Sequence, residues 1–162
     1  MSNLKPLLEK LKGLALWVGR KVGTFLYLKF TLQPVSYDAN WVRDQVSKVL
    51  SDKVRWIQLD NRYWTCSKAE FEQLVKWDWL ETQKYVSDRF DCDDFAMQFK
   101  ARIGFFFNLN NVGVVVDYSS SHAYNVVLFS DAPMRIFEPQ SGEWFEFGTS
   151  RLYQLEDGLI LL

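Results

Sequence analysis

The feature that most constrains the fold is a change in apolar periodicity at Gly104. Before it, apolar residues recur at the three- and four-residue steps of one helical face. After it they form short β-rich runs separated by turn-type segments, at 112–118, 123–129, 134–137, 144–147 and 159–162. Helices followed by strands is the order of an α+β fold. We therefore expect N-terminal helices and a central Cys-bearing helix packed on a C-terminal antiparallel sheet.

Four helices are predicted before Gly104. The first two span about 5–22 and 37–50, and a short strand at 54–59 follows them. The third begins at a Ser67–Glu70 capping box and runs to about Tyr85. The fourth begins at Cys92 behind an Asp91 N-cap, with Gly104 as its left-handed C-cap.

Length and composition indicate one main domain with an appended arm. The 162 residues, 48% apolar and 17% aromatic, exclude a disordered chain and suit a sizeable core. A net charge of −1 argues against a nucleic-acid partner. We place the boundary between a basic amphipathic helix with its connection at 1–34 and the main domain at 35–162.

The N-terminal arm carries an uneven share of the charge. Residues 1–30 hold six cationic side chains and one acid, so the arm is +5 and the remainder −6. A helical apolar stripe runs through the arm at Leu4, Leu7, Leu8, Leu11, Leu14, Ala15, Val18 and Val22. Two interpretations stay open: a surface helix docked on the domain, or a peripheral membrane or partner contact. The sequence leaves the oligomeric state undetermined.

The location of the chain is inferred from charges and cysteines. Arg20 and Lys21 interrupt the apolar run, which argues against a signal peptide and a transmembrane span. Two cysteines make no disulfide framework. We expect a cytoplasmic protein, with membrane association as the alternative.

Three residues suggest thiol chemistry. Cys92 lies in the first turn of a helix, where the dipole favours a thiolate. His122, the single histidine, is the one imidazole able to exchange a proton with it. Glu138 is placed to orient that imidazole, and Gln140 is the alternative residue for this role. Trp144 would shield the hydrogen bond between His122 and Glu138 from water. Cys66 has no paired motif and is assigned to packing.

Phe90-Asp91-Cys92-Asp93-Asp94-Phe95-Ala96, His122-Ala123-Tyr124-Asn125 and Glu138-Pro139-Gln140 together point to a family. In this order they resemble the papain-like C-terminal domain of mushroom agglutinins, a calcium-dependent cysteine peptidase domain, over roughly residues 37–147. The resemblance implies a papain-like fold, Cys92 as nucleophile, His122 as acid/base and Glu138 as orienter. It also implies a divalent-cation site at Asp93 and Asp94, and a peptide or protein substrate.

The cation has a physical argument of its own. Asp91, Asp93 and Asp94 surround one thiol and would raise its pKa. Ca²⁺ or Mn²⁺ bound by carboxylate oxygens would offset the negative charge of these acids near the thiol. The alternative is that first-turn acids only complement the helix dipole.

The leading hypothesis is a cysteine peptidase with a Cys-His-Glu triad. The first alternative uses the same residues for transglutaminase-like acyl transfer or as a cell-wall peptide amidase. A second is an inactive module that binds a membrane or partner through its N-terminal helix. A third, a zinc site of Cys92, His122 and a carboxylate, lacks close ligand spacing.

Overall fold

The chain divides into two compact units. The structure is a computed structural model that describes residues 4–162, with side chains from Pro6 onward. The first unit is Met1–Leu32 and the second is Gln33–Leu162. The first consists of one helix, α1 (Leu4–Thr31), which is longer than the 5–22 expected from the stripe. The side chain of Leu4, part of that stripe, lies outside the described residues.

The second unit contains three helices and eight strands. Its helices are α2 (Ala39–Ser47), α3 (Lys68–Trp77) and α4 (Cys92–Phe107), with short 3₁₀ turns at Leu80–Thr82 and Arg151–Tyr153. Its first strands are β1 (Val35–Asp38), β2 (Val54–Ile57) and β3 (Arg62–Thr65). The later strands are β4 (Val112–Asp117), β5 (His122–Val127), β6 (Arg135–Glu138), β7 (Glu143–Phe145) and β8 (Gly158–Leu161).

The main sheet is mixed, which corrects the purely antiparallel sheet expected from the sequence. Its strand order is β2-β8-β4-β5-β6-β7, and β1 pairs separately with β3. Neighbours from β8 to β7 are antiparallel, but β2 runs parallel to β8. The difference arises because β2 comes from the N-terminal half and reaches the sheet by a long crossover, which parallel pairing requires.

Helix α4 covers one face of this sheet. Asn125 of β5 donates to the carbonyl oxygen of Ala96 at 2.9 Å, and the rings of Phe99 and Phe137 lie 4.4 Å apart. The opposite face carries an apolar cluster that includes Tyr124 and Tyr153. The helix is therefore fixed to the sheet by one buried amide and by aromatic packing.

Three helices of the second unit end or begin differently from the sequence expectation. Helix α3 ends at Trp77 and does not reach Tyr85. Residues 35–38 are a strand, and α2 begins after Asp38, whose Oδ1 accepts from the backbone N–H of Trp41 at 3.0 Å. Helix α4 passes Gly104 and ends at Asn108, which takes the left-handed cap with φ 55°. Asparagine tolerates this conformation, so glycine is not needed there.

Candidate functional site

A cleft of about 390 Å³ lies where the β4–β5 hairpin meets the N-terminus of α4. We call it the strand-end cleft; it is lined by Cys92, Asp93, Val116, Asp117, Tyr118, Ser121, His122 and Ala123. Asp117 and His122 form the last residue pair of the hairpin. The cleft therefore lies at the end of two strands, beside the first turn of a helix.

Cys92 is the first residue of α4 and is partly buried. The turn before it is held by the acids around it: Asp91 N–H donates to Asp94 Oδ2 at 3.3 Å, and Asp91 Oδ2 accepts from Asp88 N–H at 2.9 Å. This cap orients the helix N-terminus toward the cleft that His122 also lines.

His122 and Cys92 reach the cleft from different sides of the sheet. Asn125 faces α4, so strand alternation puts His122, three residues earlier, on the other face. Both side chains line the same cleft because His122 stands at the strand end, beside the helix terminus. The structure thus places Cys92 and the single histidine at one cleft.

Glu138 holds the His122 ring. Its Oε2 lies 2.6 Å from His122 Nε2 and accepts from the Tyr153 hydroxyl at 3.1 Å, while Oε1 accepts from the backbone N–H of Gln140 at 3.1 Å. Glu138 is only 5% exposed. A buried carboxylate with three partners is a fixed support for the imidazole.

The predicted auxiliary residues take different roles. Gln140 contacts Glu138 through its backbone and not His122 through its side chain. Trp144 pairs with Phe137, on the face opposite Glu138, and its ring lies 4.9 Å from that of Phe137. Two aromatic rings lie beside the imidazole, Tyr124 at 5.8 Å and Tyr153 at 6.0 Å between ring centroids. Nothing in the sequence near Glu138 points to Tyr153.

The Asp117 carboxylate accepts hydrogen bonds from groups within the protein. Burial favours its protonated form, but hydrogen bonds from the Ser119 hydroxyl and the backbone N–H groups of Ser120 and Leu155 outweigh burial and lower its pKa. The Tyr124 hydroxyl also donates to it at 3.2 Å, and burial together with this carboxylate raises the pKa of Tyr124. Asp117 therefore shapes the cleft through contacts within the protein.

The acids near Cys92 pair differently from the prediction. Ligand atoms of Asp91, Cys92 and Asp93 lie within 4.8 Å of one another, whereas Asp94 caps the helix. A hydrogen bond to Asp91 raises the pKa of Asp93, and the same bond lowers that of Asp91. The two carboxylates offer the hard oxygen donors that Ca²⁺ or Mn²⁺ takes, so Asp91 replaces Asp94 in the candidate set. Among residues 4–162, His122 belongs to no such group, which disfavours the zinc alternative.

A second pocket of about 300 Å³ lies beside α4. It is lined by Trp79, Leu80, Gln83, Phe90, Gln98 and Arg102. Arg102 lies over the Trp79 ring at 4.5 Å and pairs with Asp78 at 2.6 Å. Asp78 thus engages the Arg102 Nε, while the Arg102 Nη2 is buried without a hydrogen-bond partner among the described residues.

Comparison with known proteins decides the family. A sequence model described as ricin-type beta-trefoil lectin C-terminal domain matches residues 38–160, about three quarters of the chain. The chain belongs to this lectin-domain family. No curated protein sequence matches it.

Solved structures share the fold of this lectin domain. One, described as a PSL1a-E64 complex, has a TM-score of 0.64 and 22% identity, covering 78% of this chain and 51% of that chain. Another is Polyporus squamosus lectin bound to the human-type influenza-binding epitope Neu5Aca2-6Galb1-4GlcNAc, with a TM-score of 0.61, 22% identity, and coverage of 78% and 49%. The chain therefore spans about half the length of these structures.

These findings correct the predicted family, fold and activity. The match is to a lectin domain and not to a papain-like calcium-dependent cysteine peptidase, and the fold is shared with a lectin. The predicted papain-like fold and hydrolase activity are therefore wrong, the peptide substrate has no support from the comparisons, and the binding-module alternative is closer. The difference has a physical source, because three short motifs that contain Cys92, His122 and Glu138 do not by themselves specify a reaction.

Proposed function

We propose that this chain is a non-catalytic binding module whose ligand is a glycan held in the strand-end cleft. The family match and the glycan named for the Polyporus squamosus lectin support the ligand class. The observation that carries the proposal is the cleft itself, which combines an exposed aromatic ring with exposed polar groups beside a fixed imidazole.

The chemistry of the cleft suits a sugar, which presents hydroxyl groups and apolar C–H faces. Tyr118 is 48% exposed and supplies a ring for an apolar face. Ser121 and Asp93 are also exposed and can exchange hydrogen bonds with hydroxyls. Because Glu138 occupies His122 Nε2, Nδ1 is the ring nitrogen left for a ligand.

The predicted site residues take binding roles in this proposal. His122 and Cys92 contact the ligand, and Glu138 positions the imidazole. Should Ca²⁺ or Mn²⁺ bind, Asp91 and Asp93 would hold it, and the ion would supply further coordination for ligand oxygens. That cation remains a prediction, tested by comparing ligand binding in calcium with binding in chelator.

A glycan array with the full chain, followed by calorimetry on the best ligand, tests the proposal. Tyr118→Ala should weaken binding about tenfold, the loss of one stacked ring. Tyr27→Ala is the matched control, because Tyr27 is 62% exposed but lies on α1. We expect it to bind as the parent does.

Three results would overturn the proposal. The first is that no glycan on the array binds. The second is that Tyr118→Ala binds normally while Trp79→Ala does not, which would move the site to the second pocket. The third is recovery of a cleaved glycan by mass spectrometry, which would contradict a non-catalytic role.

A further inference from the structure

Helix α1 carries an apolar face that is exposed from Leu7 to Leu26. At 100° per residue, seven exposed large apolar side chains fall within one arc of about 120°, which also holds the partly buried Phe25 and, in the last turn, Lys29. The seven exposed residues, the α1 stripe, are Leu7, Leu8, Leu11, Leu14, Val18, Val22 and Leu26. Each is between 44% and 57% exposed. An apolar surface of this size on a soluble chain marks an interaction site.

Basic side chains border the α1 stripe on both margins. Lys12 follows one margin, and Lys10 and Lys21 follow the other. The sole acid of the helix, Glu9, lies on the opposite face and pairs with Lys12 at 3.0 Å. Lysine stems bordering an apolar face can lie along it while their ammonium groups reach outward.

Helix α1 contains three glycines, which lower the intrinsic stability of a helix. Within the described part of the chain, and apart from the helix's own nearby backbone, no atom lies within 4 Å of the position that a Cβ would take at Gly13, Gly19 or Gly23. Each glycine therefore lowers the stability of the helix, and no close packing at that position compensates for it. No described helix is long and apolar enough to cross a membrane. A helix of 28 residues would extend about 42 Å along a surface.

We propose that α1 binds in the plane of an anionic lipid surface, with the α1 stripe among the acyl chains. The charge of the arm, +5 against −6 for the remainder, matches anionic headgroups. A second α1 fits the stripe less well, because it would bring the same charge into contact. Two exposed aromatic residues, Trp17 and Phe30, lie beyond the two margins of the α1 stripe and suit the headgroup region.

Vesicle co-sedimentation of the full chain tests this proposal. We expect binding to vesicles of phosphatidylcholine with about 30% phosphatidylserine, little binding to phosphatidylcholine alone, and a decrease with added salt. Leu11→Ser combined with Val22→Ser should weaken binding at least tenfold.

Leu16→Ser is the matched control. Leu16 is 69% exposed on the same helix but lies away from the α1 stripe, so this variant should bind within about twofold of the parent. Equal urea midpoints for all variants would show that the second unit is folded in each.

The proposal is overturned if the parent binds neither vesicle, or both equally. It is also overturned if Leu16→Ser weakens binding as much as the stripe variant does. A third result would assign the α1 stripe to a second copy of the chain instead. In that case the parent would be dimeric by light scattering and would not bind vesicles, and the stripe variant would be monomeric.

Discussion

The Cys66 thiol should be alkylated about three orders of magnitude more slowly in the folded chain than in the unfolded chain. Cys66 is fully buried, and burial, followed by the charges of Glu70 and Asp131, raises the pKa of its thiol to about 12. Cys92 is partly buried and lines the strand-end cleft. The structure therefore leaves one thiol open to reagents and closes the other.

The magnitude follows from the thiolate fraction, since the thiolate is the reacting species. At pH 8 a thiol with the ordinary pKa of about 8.5 is roughly one quarter ionised. A pKa of about 12 leaves on the order of one thiol in 10⁴ ionised. Cys66 in the folded chain should thus react at least ~10³-fold more slowly than Cys66 in the unfolded chain.

Iodoacetamide labelling followed by mass spectrometry measures both sites. Cys92→Ser leaves only Cys66, which should remain unlabelled in buffer and become labelled in guanidinium. Cys66→Ala leaves only Cys92, which should be labelled without denaturant.

Rapid labelling of folded Cys92→Ser would refute the buried position of Cys66. Absence of labelling in folded Cys66→Ala would contradict an accessible sulfur in the cleft and would remove Cys92 from the proposed ligand contacts.

Three further substitutions test the supports of the cleft. Tyr153→Phe removes a hydroxyl donor from the buried Glu138 carboxylate and should lower the free energy of unfolding by about 1.5–3 kcal/mol, read from a urea titration; an unchanged midpoint would contradict the contact. Gly113→Ala places a Cβ 2.8 Å from Val126 Cγ2 and should cost about 1–3 kcal/mol in the same assay, whereas a neutral change would mean that the neighbouring side chains shift without cost. Asp117 has a lowered pKa in the folded chain, so its contribution is present above the unfolded pKa of about 3.9 and is lost as the pH falls through the folded value. Asp117→Asn should be less stable at pH 7 and lose less stability between pH 5 and 2; a parallel pH profile would argue against this role.

Local signals in the sequence located much of the cleft. The Ser67 capping box is present, with Glu70 Oε2 accepting from Ser67 N–H at 2.9 Å. Helix α4 begins at the predicted Cys92, and β5 begins at His122. Caps and strand alternation depend on residues a few positions apart, so a single sequence contains the information needed to predict them.

Contacts between distant segments could not be predicted in this way. Tyr153 reaches Glu138 from a 3₁₀ turn that has no apolar period, fifteen residues along the chain. The same is true of β2, whose parallel pairing with β8 depends on the whole sheet being assembled. The leading hypothesis of a peptidase is wrong for a related reason, because three residue types in order do not specify a reaction, and the binding-module alternative is closer.

The position of β8 has a consequence for how the molecule is made. This strand lies between β2 and β4, and Val54 pairs with Gly158, more than one hundred residues later. Until residues 158–161 leave the ribosome, β2 has no neighbour and the edge of β4 is open. Closing so long a loop is slow. Synthesis should therefore produce an incomplete, association-prone sheet that only the final strand can close, and removing those few residues should be far more damaging than an equally short cut elsewhere.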